Sequence, residues 1–189
     1  MAEPVRKPME PGLQDEEDEE PGITLQRWIE GPGGRMELLE IPLTPELFLN
    51  PQVDDHMTQG RRHGDTAREI AGVLDHFFHP SADVLVTFDL KHLFGPGLSQ
   101  PSPDVSVIRG VRDQEADRES FDVVAEGVRP CLIIEVVSPL SSRIRKADLE
   151  DKVALYRRAG IPEYLIVDSQ RRDRRFRLLG YRLGPSGYQ

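Results

Sequence analysis

The chain has 189 residues, 38% of them hydrophobic and 30% charged, with a formal net charge of −9, a length that holds one domain or one domain with a tail. No stretch approaches the roughly 18 uninterrupted apolar residues needed to span a bilayer, and the opening MAEPVRKPME lacks the apolar core of a secretory signal. A single cysteine, Cys131, excludes an internal disulfide and a cysteine-based zinc cage, so a soluble, cytoplasmic protein with no membrane partner is expected.

Residues 1–22 carry eight acids and two bases, including the run Asp15 to Glu20, and almost nothing apolar. Such a segment buries too little surface to offset its ordering entropy and is expected to be a disordered acidic tail. It is read either as a solubilising tail or as an internal polyanion that occupies a basic face. That face is the last quarter, because residues 140–189 hold twelve bases against six acids. The folded domain is expected over 23–189. Within 23–60 the pattern is weak: Glu37 to Ile41 suits a strand, and PELFLN suits one turn of helix.

The first strong element begins near Asp65, a plausible N-cap. Ala67, Ile70, Ala71, Leu74, Phe77 and Phe78 then repeat at helical spacing up to Pro80. Val84, Val86, Phe88 and Leu90 alternate as a half-buried strand, and KHLFGPGLSQPSP reads as loop. A short strand follows over Asp104 to Ile108, then a charged connection to Gly127. Cys131 to Val137 is apolar on both faces but for one residue, the mark of a central strand. Ser141 or Ser142 caps a helix expected over roughly 145–159, with Leu149, Val153 and Tyr156 inward and Gly160 and Pro162 as its stop. Tyr164 to Val167 is a further strand, and a turn through Asp173 leads to another over Phe176–Leu183.

The exceptional residue in the central strand is Glu135. A carboxylate flanked by Ile134 and Val136 must be paired, protonated or bound to metal to offset its desolvation. Asp104, opening the preceding strand, is the leading partner, since two adjacent strands let an Asp and a Glu share one hard cation. A buried ion pair between Glu135 and an arginine is the alternative. Lys152 lies roughly 60° from the inner stripe of its helix, given about 100° per residue, and so reaches toward Glu135. Its plainer reading is a surface pair with Asp148, four residues earlier.

Other candidates carry less. His76 and His79 have metal-like spacing, but no third ligand is indicated and Phe77–Phe78 suggest a core face. Ser138 has no His-Asp partnership, and Cys131 reads as a small buried hydrophobe. Tyr164 and Asp168 are expected to pack and cap their strand.

Three segments together, PSPDVSVI, CLIIEVVSP and DLEDKVALYRRAGIPEYLIVD, resemble the Uma-type (Uma-two) restriction endonuclease family, a branch of the PD-(D/E)XK nuclease superfamily. The resemblance spans about residues 60–183. It implies an α/β (α+β) restriction-endonuclease-like core, a mixed central sheet flanked by helices. It implies that Asp104 is the Pro-Asp aspartate, that Glu135 is the acid of the second motif, and that both hold Mg²⁺ (or Mn²⁺) with the backbone carbonyl of Val136. The superfamily's usual lysine two positions after that acid is here Val137, and Lys152 on the following helix takes its place. Asp148 and Tyr156 then position the lysine, and Arg143, Arg145 and Lys146 contact the nucleic-acid backbone. His63, where the family often has a histidine, is expected to cap or to join an interface, and the family's N-terminal hairpin is not recognisable in 23–60. The implied activity is hydrolysis of phosphodiester bonds in DNA by a homodimer. The alternative is a nuclease-fold module that binds nucleic acid or a protein without turnover.

Overall fold

A computed structural model of the protein describes residues 24–52, 55–57, 61–137, 142–168 and 177–189, without the side chains of His56, Met57, Ser142 and Arg143. The acidic tail, Ser138, Ser141 and the turn through Asp173 lie outside the described residues. In chain order the elements are β1 (Thr24–Glu30), β2 (Met36–Pro42), α1 (Pro45–Leu49), β3 (Asp55–Met57), α2 (Arg61–Phe78), β4 (Val84–Phe88) and β5 (Lys91–Leu93). Then come β6 (Val105–Arg109), β7 (Ser120–Asp122), α3 (Val123–Glu126), β8 (Pro130–Val136) and α4 (Ser142–Lys146). A π-helical turn (Ala147–Asp151) joins α4 to α5 (Lys152–Arg158), and β9 (Glu163–Asp168), β10 (Arg177–Gly184) and β11 (Gly187–Tyr188) follow.

The core is a mixed six-stranded sheet in the order β11-β10-β9-β8-β6-β4. β8 runs parallel to β9 and antiparallel to β6, which makes the mixed α+β class expected from the sequence the one observed. Side chains alternate across β8. Ile133 and Val137 join Tyr156, Tyr164 and Ile166 in one cluster, while Ile134 and Val136 meet Ala67 and Ala71 of α2 in another. The helical run 142–158 therefore covers the face that carries Glu135, and α2 covers the other. Val105 pairs with Ile134, and one step further in that register sets Asp104 opposite Glu135.

Several expectations need correction. Asp65 does not cap α2, which is already helical at Arg61; its carboxylate instead takes Arg61 and Arg68, each at 3.4 Å. Phe77 is 72% exposed, so that stretch is not a core face. The region 23–60 does hold a hairpin: β1 and β2 pair over seven residues each, closed by a turn in which Gly33 and Gly34 take φ of 81° and 75°. Six of the seven β2 residues, all but Ile41, are exposed, so neither face of the hairpin shows the alternation that marks a strand in sequence. The expected loop over 91–103 contains β5, and the connection over 109–127 contains β7 and α3. Among the described residues, no helix is long and apolar enough to cross a membrane.

Candidate functional site

Asp104 precedes β6 and is 5% exposed. One carboxylate oxygen, Oδ2, accepts the Val136 amide at 2.7 Å, and Oδ1 lies 3.0 Å from His63 Nε2. Glu135 is 1% exposed. Its Oε2 accepts from Lys152 Nζ at 2.8 Å and its Oε1 from the Tyr156 hydroxyl at 2.6 Å. Lys152 Nζ also lies 3.0 Å from Asp148 Oδ1 and 4.4 Å from the centroid of the Phe48 ring. Three buried carboxylates thus converge around one ammonium. The group borders a cleft of about 390 Å³ that is lined in part by His63, Asp89, Asp104, Asp148 and Lys152.

The local structure explains why these side chains meet. Lys152 shares the inner face of α5 with Leu155 and Tyr156, and the π turn before it presents the buried Asp148 to the same ammonium. Tyr156, one turn beyond Lys152, is fully buried and packs edge-on to Tyr164 at 4.9 Å. The Tyr164 hydroxyl donates to the Asp148 carbonyl at 3.3 Å, which holds the π turn against the sheet. On the other side of the sheet, α2 begins early enough to bring His63 to the end of β6.

Burial raises the pKa of Asp104 well above the usual carboxylate range, and the charge of Glu135 adds to it. Glu135 is likewise raised by burial, with Lys152 pulling the other way. For Lys152, burial acts to lower the pKa, but Asp148, Glu135 and Asp104 together outweigh it and raise it, so the amine stays protonated. Burial lowers His63, leaving a neutral imidazole beside Asp104. The buried acids therefore outnumber the buried cation, and full ionisation of all three would leave excess negative charge in a low-dielectric site.

Such a site favours proton uptake or a bound cation. Among the described residues no group of three or more His, Cys, Asp or Glu side chains is gathered as a ready-made metal cage. The donors at hand are two carboxylates and the backbone of Val136, whose carbonyl shares the strand edge of the amide that meets Asp104. That set suits Mg²⁺, which keeps several waters and is bound through one or two carboxylates rather than by an all-protein cage. Each carboxylate oxygen already accepts from the protein, so a cation enters in competition with Lys152 and His63.

The structure thus brings together Asp104, Glu135, Lys152, Asp148, Tyr156 and the backbone of Val136. Val137 is fully buried in the core and takes no part. Arg145 grips the buried Asp168 with both guanidinium nitrogens, at 3.2 and 2.6 Å, so Asp168 serves as an anchor for α4 beyond capping its strand. Lys146 stands exposed, 4.0 Å from Glu150, and the Arg143 side chain lies outside the described residues. His63 lies in the first turn of α2, buried against Asp104. Sequence reasoning missed Phe48 and Asp89. Asp89 lines the cleft, has φ of 49° and donates its amide to the Asp104 carbonyl at 3.2 Å. Its signal in sequence was slight, an Asp after an alternating strand, a residue type that tolerates the left-handed region.

A family model, Uma2, described as "Putative restriction endonuclease", matches residues 44–189. No curated protein matches the chain. Among solved structures, the chain is similar to a crystal structure described as a putative nuclease belonging to DUF820 from Anabaena variabilis ATCC 29413. The match has 18% identity and a TM-score of 0.48, and covers 82% of this chain and 75% of that one.

Proposed function

The chain belongs to the Uma2 restriction endonuclease family, and from that premise we propose that it is a Mg²⁺-dependent endonuclease hydrolysing phosphodiester bonds in DNA, with the cluster around Lys152 as its catalytic centre. The observation that carries this reading is the convergence of Asp104, Glu135 and Asp148 on a single buried ammonium at the wall of an open cleft. Asp104, Glu135 and the Val136 carbonyl would hold Mg²⁺ (or Mn²⁺). When bound, the ion supplies a more acidic water and a counter-charge for the phosphoryl oxygens.

The chain's own residues perform the rest. His63 and the Val136 amide fix both oxygens of Asp104, and Tyr156 fixes Oε1 of Glu135, so neither carboxylate is free to rotate. Lys152 remains an ammonium because three acids surround it. It therefore acts as a fixed positive charge toward a phosphate oxygen rather than as a base. Asp148 holds that charge in place from within the same helical run. Phe48 shields one side of the ammonium, which lowers the local dielectric and strengthens each of these interactions.

A binding module without turnover is the competing reading, favoured by the full occupancy of both carboxylates by protein donors. Calorimetric titration with Mg²⁺ separates the two. The wild type is expected to give a saturable heat that the Glu135→Gln variant lacks. Equal heats from both proteins, or none from the wild type, would remove the proposed cation site.

A further inference from the structure

The cleft carries an aromatic ring for which hydrolysis has no use. Phe88 ends β4 directly before Asp89, is 39% exposed, and lines the same cleft as Asp104 and Lys152. Single exposed apolar residues are ordinary on protein surfaces, but this one has two distinguishing neighbours. The guanidinium of Arg68, on α2, lies 5.5 Å from its ring centroid and also lines the cleft. Among the described residues, Arg68 has one ion pair, to Asp65 at 3.4 Å, with both side chains exposed. Such a pair contributes little and leaves the guanidinium available. Lys91, on β5, adds a second positive charge to the cleft wall while donating to the Pro51 carbonyl at 2.8 Å.

We propose that Phe88 and Arg68 form a stacking platform for an unpaired nucleobase, which makes single-stranded DNA the preferred substrate of this cleft. The proposal rests on the nuclease reading above and names the substrate class of the same site. In a duplex the base faces are covered by their neighbours, so a ring at the cleft wall has no surface to stack on. A single strand offers a π-face at every nucleotide, and aromatic side chains bind such faces with little regard for sequence. With a base on Phe88, the adjoining phosphate falls beside Arg68 and the next one toward the carboxylates. Arg68 suits that place, since it pairs with a phosphate through two nitrogens while resting on the ring.

The test is fluorescence anisotropy at fixed salt in EDTA, so that binding is read without turnover. The probes are a short oligothymidylate, its duplex with oligodeoxyadenylate, and a strand of equal length made of abasic sites. The wild type is expected to bind the oligothymidylate at least about tenfold tighter than either other probe. Phe88→Ala is expected to lose about 5- to 150-fold on the oligothymidylate, the range for one stacked base, with the duplex and the abasic strand unchanged. Phe88→Tyr is expected to restore binding, and unchanged melting temperatures show that the exposed ring is not needed for folding. An equal loss on all three probes, or wild-type affinity for the duplex matching that for the single strand, overturns the platform. Because EDTA removes turnover from the measurement, failure of the hydrolytic reading shows instead in the calorimetry and cleavage assays.

Discussion

Replacing Lys152 by methionine would keep the volume of the side chain and remove the ammonium that Glu135 and Asp148 share. Both acids would stay buried, at 1% side-chain exposure each. Breaking a buried pair by removing one partner costs about 3–5 kcal/mol, because the remaining charge has neither water nor counter-ion. The expected loss for Lys152→Met near pH 8 is of that order. The sign of its pH dependence follows from the carboxylates. Asp104 and Glu135 are raised in the folded state and rise further once Lys152 stops pulling them down. A carboxyl with a raised folded pKa binds its proton more tightly in the folded chain, so its cost to stability is greatest at high pH and disappears as pH falls toward the unfolded value. Urea unfolding at pH 8 and pH 5 should therefore show the variant's deficit shrinking on acidification. A deficit under about 1 kcal/mol at pH 8, or one that grows at pH 5, contradicts the charge balance described here.

The helical run from Ser142 to Arg158 is broken in its middle by an irregular turn that carries the buried Asp148. Tyr156 and Leu155 anchor α5 in the core, while the Arg145–Asp168 pair anchors α4 to the end of β9. The π turn between them sets the angle at which Asp148 and Lys152 face the sheet. Deleting the exposed Glu150 returns the run to regular α-helical spacing and turns one anchored half by about 100° relative to the other. Either Asp148 leaves Lys152 or Lys152 leaves Glu135. Helical content by circular dichroism should persist while nuclease activity falls about 10²-fold or more, the scale of loss from a misplacement of about 1 Å. Activity within a few-fold of the wild type would show that the turn is incidental. Glu135 could be read from sequence because an acid inside CLIIEVV demands a partner, and Lys152 because helix geometry limits where that partner can sit. The π turn could not, since backbone hydrogen-bond register leaves no mark in residue type. Nor could the start of α2: Asp65 has the chemistry of a cap, but the contact of His63 with Asp104 belongs to a helix that begins earlier.

Across the whole molecule, the mixed sheet places Asp104 and Glu135 at the end of neighbouring strands, with a helix on each face contributing one partner: His63 from α2 for Asp104, and Lys152 from α5 for Glu135. The strands β4, β6, β8, β9 and β10 were legible from their apolar runs, whereas β5, β7 and β11, of three residues or fewer, were too short to show one. The hairpin over 24–42 was hidden by its exposure: Trp28 and Leu38 pair across it yet remain 47% and 44% exposed. Phe48 was hidden because a single aromatic in a five-residue helix has no periodicity to reveal its target. The site is therefore assembled from separate segments of the chain between Phe48 and Tyr156. The proposed hydrolysis depends on that assembly, and Asp104 is the residue at which it can be interrupted with least disturbance. In Asp104→Asn the side-chain carbonyl can still accept the Val136 amide and the side-chain NH₂ can face the neutral His63. With Mg²⁺, the protein is expected to cut circular single-stranded DNA and, more slowly, to nick supercoiled plasmid, and EDTA to abolish both reactions. The variant, melting at the wild-type temperature, should be slower by about 10²-fold or more. Cleavage by Asp104→Asn at the wild-type rate, or cleavage that persists in EDTA, would contradict the assignment of this cluster as the catalytic centre.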